Sequence, residues 1–155
     1  MKGHPDVIRS LNALLTHELS AVDQYVVQSL MLEDWGYTQL HERIAHEADD
    51  ERGHVARLVQ RILYLEGQPD VSTRAPLKIG ENVKEMFEHD LAYEAEVAAL
   101  LNDAIALCRD KSDNGTRALL EEILNDTERD HILWLQTQLR LIEDLGLAAY
   151  VAEKL

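Results

Sequence analysis

The chain has 155 residues, long enough to bury a hydrophobic core without disulfides or a structural metal. Apolar residues make up 46% and charged residues 28%, a globular balance that excludes a disordered chain. Fifteen Lys and Arg against 29 Asp and Glu give a formal charge of −14, which excludes nucleic-acid partners, disfavours docking on anionic lipid and favours cations.

The opening Met1-Lys2-Gly3-His4-Pro5-Asp6 has no apolar leader, and no run of about 18 apolar residues follows, so a cytoplasmic protein with no membrane partner is expected. The first helix is expected over about Pro5 to Asp34, with Val7, Leu11, Leu15 and Leu19 on one face and Trp35-Gly36 at its end. The second spans about Tyr37 to Glu66, carrying Leu40, Ile44, Leu58 and Ile62 inward, and stops at Gly67. The third starts near Glu81 and fades between Arg109 and Gly115. It contains the sole cysteine, Cys108, read as a packed residue; one cysteine excludes disulfides within the chain, Cys-rich zinc sites and a protein-held iron–sulfur cluster. The fourth runs from about Thr116 to Gly146, and a short fifth helix follows over Leu147 to Leu155. Short turns make helices one and two, and three and four, antiparallel hairpins. Between the hairpins, Gln68 to Gly80 holds two prolines and no helical period. Extended, these residues reach roughly 43 Å, and a helix of about 29 residues is also roughly 43 Å long. The expectation is one domain over 1–155: an all-α, ferritin-like four-helix bundle (about 5–145) with one long crossover between helices two and three.

Acids interrupt each apolar seam near its middle. The inward series are Leu11-Leu15-Glu18-Val22; Ile44-Glu47-Glu51-His54-Leu58; Phe87-Leu91-Glu94-Val97-Leu101; and Leu124-Glu128-His131-Leu135. In an antiparallel bundle, helix midpoints share one height, so Glu18, Glu51, His54, Glu94, Glu128 and His131 are expected to converge. The pattern repeats: a single Glu on one helix, then Glu-x-x-His on the next, with Glu18 to Glu51 spanning 33 residues and Glu94 to Glu128 spanning 34. Four buried carboxylates repel one another, and two divalent ions cancel their charge. A mixed carboxylate and imidazole set suits iron or manganese. The bland alternative is an acid network that shares protons and fixes helix register.

The whole chain also resembles the bacterioferritins. The resemblance is carried by Met1-Lys2-Gly3, Leu11-Asn12-Ala13-Leu14-Leu15, Glu18-Leu19-Ser20-Ala21 with Gln24-Tyr25, Asp34-Trp35-Gly36, Arg61 to Gly67, and His131 to Leu135. It implies a ferroxidase that stores iron in a 24-mer shell, oxidising Fe(II) with O₂ or H₂O₂ and depositing ferric mineral inside. Glu18 and Glu94 would be terminal ligands, Glu51 and Glu128 bridging ligands, and His54 and His131 one imidazole per iron. Haem-binding members carry a Met directly after the bridging Glu of the second helix. Here Arg52 stands there, with Ala48 one turn earlier and Met31 read as packing, so no haem b is expected in the homo-oligomer. A haem-binding partner subunit and a ferredoxin-type reductant for iron release are further implied partners. Tyr25 reads as a hydrogen-bond donor to a ligand, an electron donor or a core tyrosine; Glu47 reads as an acceptor behind the site. His46 and Asp50 read as an accessory iron pair or a solvated face. The rival function is a di-iron oxidase acting on an organic substrate.

Overall fold

In the computed structural model, which describes residues 1–155, every regular element is helical. The first helix, α1 (Pro5–Asp34), opens at a proline whose missing N–H costs nothing in a first turn. His4 Nδ1 accepts from the Asp6 N–H at 3.1 Å and caps it. It turns through Trp35-Gly36 into α2 (Thr38–Tyr64). The third helix, α3 (Val83–Asp110), begins two residues later than the sequence suggests. The Asn82 side chain caps it, accepting from the Glu85 N–H at 2.9 Å, and Glu85 reaches back to the Glu81 N–H. The fourth bundle helix is α4 (Asn114–Asp126), then a π-helical segment (Thr127–Ile132), then α5 (Leu133–Leu145). One unbroken α-helix was the expectation, and the π-helical segment corrects it. The tail is α6 (Leu147–Ala152), shorter than the expected 147–155. Tyr150 buries its ring against the bundle and donates to Gln138 Oε1 at 2.6 Å, while Lys154 O accepts from the Gln39 N–H.

The crossover runs along α1 and is stitched to it by polar side chains. Asn12 bonds the backbone of Gln68 and Asp70, the Ser20 hydroxyl accepts from the Ala75 N–H, and Gln28 donates to Ile79 O. From Asn12 to Gln28 is sixteen residues, roughly 24 Å of helix axis. The strap therefore carries the chain along the bundle, and α3 starts at the end where α2 started. All four long helices then present their middles at one level, as the seam pattern requires. Leu11, Leu15, Leu58, Ile62, Val97, Leu101, Leu120 and Ile142 fill the layers above and below.

Gly80 closes the strap against α3. Its φ is +99°, and a Cβ there would lie 2.7 Å from the Met86 backbone nitrogen. Gly80→Ala should therefore destabilise the protein by about 1–3 kcal/mol, read as a lower urea midpoint for the metal-free protein. An unchanged midpoint would show that the strap end is not fixed by this contact.

Candidate metal centre

Three carboxylates and two imidazoles meet at mid-bundle: Glu18 from α1, Glu51 and His54 from α2, Glu94 from α3, and His131 from the π-helical segment. Each is no more than 3% exposed. His54 Nδ1 lies 3.1 Å from Glu18 Oε2 and 3.4 Å from Glu51 Oε2. His131 Nδ1 lies 2.9 Å from Glu51 Oε1 and 3.1 Å from Glu94 Oε1. The side chains form two triads, Glu18–Glu51–His54 and Glu51–Glu94–His131, that share Glu51. The imidazole centroids are 6.2 Å apart.

Further acids stand behind both rings. His54 Nε2 faces Asp126 Oδ2 at 3.3 Å. His131 Nε2 faces Glu47 Oε2 at 2.5 Å and Asp50 Oδ2 at 3.7 Å. A carboxylate at the outer nitrogen fixes ring orientation and leaves the inner nitrogen for a metal. Glu47 is held in turn by Arg43, whose Nε donates to it at 2.8 Å. Tyr25, 2% exposed, donates its hydroxyl to Glu94 Oε1 and sets its ring edge-on to His131.

The electrostatics of the metal-free cluster are those of acids and bases sharing protons. Burial, then the charge of Glu51, pushes the Glu18 carboxyl up to about 8. Burial alone would lower His54, yet Glu18 and Glu51 beside it hold it up at about 11. The same contest, settled by Asp50, Glu47, Glu51 and Glu94, raises His131. Burial and Glu94 push Glu51 up, but hydrogen bonds from Glu18, His131 and His54 outweigh them and its carboxyl stays low. Glu51 Oε1 and His131 Nε2 are buried without a well-aligned hydrogen bond. Glu51 Oε1 faces the inner nitrogen of His131 and His131 Nε2 faces Glu47, so each is paired by charge rather than by an aligned bond.

The structure brings five of the six expected ligands together and leaves out Glu128, which is exposed. Within the π-helical segment an i→i+5 turn holds more residues than an α-turn. Three residues therefore fall well short of one revolution, and Glu128 no longer shares a face with His131. Thr127 is buried in its stead. Arg43 takes up a carbonyl in the wide turn, donating to Asp130 O at 2.6 Å. His46 and Asp50 form an outward pair at 3.5 Å, and His131, then His46, holds the Asp50 carboxyl below its usual range. Arg52 is exposed and bonds Asp49 at 2.5 Å.

The sequence reading missed two features. Asp126 had only its helix position to mark it, and a surface acid is the commoner occupant of such a position. The second is a buried polar group between α1 and α3: Gln24 and Gln28 both donate to Asp90 Oδ1, at 2.6 and 2.8 Å. Burial pushes the Asp90 carboxyl well up. A hydrophobic periodicity argument passes over Gln24 and Gln28 because it scores them as surface.

Known proteins bear on this geometry. Residues 8–145 match the family described as ferritin-like domain. The chain is 47% identical to a bacterial ferritin of Synechocystis sp., covering 100% of this chain and 99% of that one. It is 44% identical to a bacterioferritin of Mycobacterium leprae over 99% of this chain and 96% of that one. Among solved structures, Mycobacterium tuberculosis bacterioferritin, BfrA, superposes with a TM-score of 0.97 at 42% identity, over 100% of this chain and 97% of that one. With the helical bundle, its crossover and this likeness from end to end, the chain belongs to the ferritin-like family, among the bacterioferritins.

Proposed function

We propose that this protein is an iron-storage subunit that oxidises Fe(II) at the mid-bundle cluster and deposits the ferric product inside an oligomeric shell, in the cytoplasm. One observation carries the reading: two carboxylate–imidazole triads share a buried glutamate, Glu51. Glu18, Glu51 and His54 would bind one Fe(II), and Glu51, Glu94 and His131 the other. Each ion gives up one electron. Two electrons and two protons reduce O₂ to H₂O₂, or H₂O₂ to two waters. Asp126 and Glu47 would hold the imidazoles in place, and Tyr25 would steady Glu94. The His46–Asp50 pair, behind His131, would receive an ion on its way to the mineral. The gap beside the cluster, bounded by Tyr25, Ile44, Glu47, His131, Trp134 and Leu135, is too tight to admit even a water molecule. That disfavours the organic substrate of a di-iron oxidase.

Exposed Val27 and Leu30 on α1, with Leu63 and Tyr64 on α2, offer apolar surface for self-association into a shell, with a 24-mer as the expected size. Arg52 supplies a guanidinium where a thioether would ligate haem, so we expect a homo-oligomer free of haem b. Haem would enter only with a Met-bearing partner subunit, and a ferredoxin-type protein would supply electrons for release.

Sedimentation after aerobic addition of excess Fe(II) tests the storage reading. A shell-sized particle that gains mass and shows no haem absorbance is expected; a small species holding only about two irons per chain would overturn storage. Glu18→Ala or Glu94→Ala should slow Fe(II) oxidation by about 100-fold or more with assembly intact. Wild-type rates in either variant would remove these residues from the site.

Protons and metal compete for the cluster. At pH 7 the metal-free protein carries protons on His54, held at about 11, and on Glu18, held at about 8. Metal binding must expel them, so affinity should rise with pH and fall toward acid. Calorimetric titration in buffers of different ionisation enthalpy should show proton release, and pH-independent binding without release would contradict this arrangement.

A further inference from the structure

We infer that His17 and Glu96 form a separate divalent-cation site, at the surface between α1 and α3, where Fe(II) docks before it enters the mid-bundle cluster. The site stands on its own geometry, and the delivery role rests on the iron-oxidising reading above. Between the strap residues 75–78, α1 and α3 lies a groove of about 600 Å³, with His17 and Glu96 on its walls. His17 Nδ1 lies 3.0 Å from Ala13 O. A carbonyl only accepts, so Nδ1 carries the proton. In the neutral ring Nε2 is then an acceptor, and it faces another acceptor, Glu96 Oε1, at 3.4 Å. Two acceptors so placed need a proton or a metal ion between them. Two donors about 2.1 Å from one tetrahedral ion lie roughly 3.4 Å apart, so the pair is already spaced to hold one. The bond to Ala13 fixes the ring, as a backbone carbonyl does behind many metal-binding imidazoles. Glu96, 62% exposed, is free to close on the ion.

The placement suits delivery. His17 precedes Glu18, and Glu96 follows Glu94 by two residues, so the pair lies within about 3 Å of the cluster's height along the bundle. Tyr93 packs beside the pair. Its hydroxyl donates to His17 O at 2.7 Å, and its ring centroid lies 5.9 Å from the imidazole. The His46–Asp50 pair, spaced alike at 3.5 Å, lies on α2 beside His131. There α2 meets the fourth bundle helix through Arg57–Glu122 and Arg43–Asp130. The two His–carboxylate pairs thus flank the cluster on opposite faces, one for arrival and one for departure. A net charge of −14 draws cations to the surface. Lys78 lines the same groove, and its ammonium opposes a bound cation, which makes this a transit site of modest affinity.

Crystals of the full-length protein soaked in Zn(II) should show anomalous density between His17 Nε2 and Glu96, besides that at mid-bundle. His17→Gln should remove the first and leave the second. In steady-state Fe(II) oxidation, His17→Gln and Glu96→Gln should each raise the Fe(II) KM about tenfold with kcat unchanged. His89→Gln, in the same groove, should alter neither. Zn(II) absent from the pair while mid-bundle is occupied, or retained there in His17→Gln, would overturn the site. Density at the pair with wild-type KM in both variants would overturn delivery. Zn(II) at the pair and none at mid-bundle would leave this site standing and overturn the two-metal reading instead.

Discussion

Negative charge buried at the middle of the bundle is the constraint on which the other features depend. Glu18, Glu51 and Glu94 lie where a helical bundle would ordinarily place leucines, and each is almost completely excluded from water. An isolated buried carboxylate costs several kcal/mol even after relaxation, so three of them require counter-charge. In the metal-free protein that charge is protonic, carried by two imidazoles held cationic and by the raised carboxyl of Glu18. The layers of Leu, Ile and Val above and below offset the cost and keep water out. The long strap returns the chain to the end where α2 began, so α3 runs parallel to α2 and presents Glu94 at the level of Glu18 and Glu51.

Each imidazole is clamped from behind, and the clamps differ. His54 has one partly exposed aspartate, Asp126, which is also within 3.5 Å of Arg57. His131 has the buried Glu47 and the half-buried Asp50. Arg43 ties this second clamp together: it donates to Glu47, bonds the Asp130 carbonyl in the wide turn, and stacks its guanidinium 4.6 Å from the Trp134 ring centroid. One arginine therefore supports both the acid behind His131 and the backbone irregularity that delivers His131. The two triads, alike in residue type, are therefore backed by unequal charge.

Most of this architecture was legible in the sequence, because apolar spacing reports helix faces directly. Pro5 and Trp35-Gly36 mark the ends of α1, and the Pro-containing stretch after Gly67 marks the strap. Polar residues in a seam stood out for the same reason: Glu18, Glu51, His54, Glu94 and His131 interrupt runs that should be apolar. The fourth helix departs from its apolar spacing for a specific reason. Leu124, Glu128, His131 and Leu135 span eleven residues in three turns, which fits an α-helix very well. The structure uses Ile123, Thr127, His131 and Leu135, twelve residues in three turns. The two series differ by one residue, and the segment between them, Asp126-Thr127-Glu128-Arg129-Asp130, has no apolar side chain to set the register. Where the hydrophobic signal goes silent, an added residue in a helix cannot be seen from periodicity.

The boundary between the buried cluster and the surface is one side chain thick. Asp50 and Glu51 are neighbours in sequence, yet Glu51 faces the cluster while Asp50 faces outward beside His46. Between them stands His131, with Glu51 and Glu94 at one ring nitrogen and Glu47 and Asp50 at the other. A single side chain thus separates two sets of carboxylates.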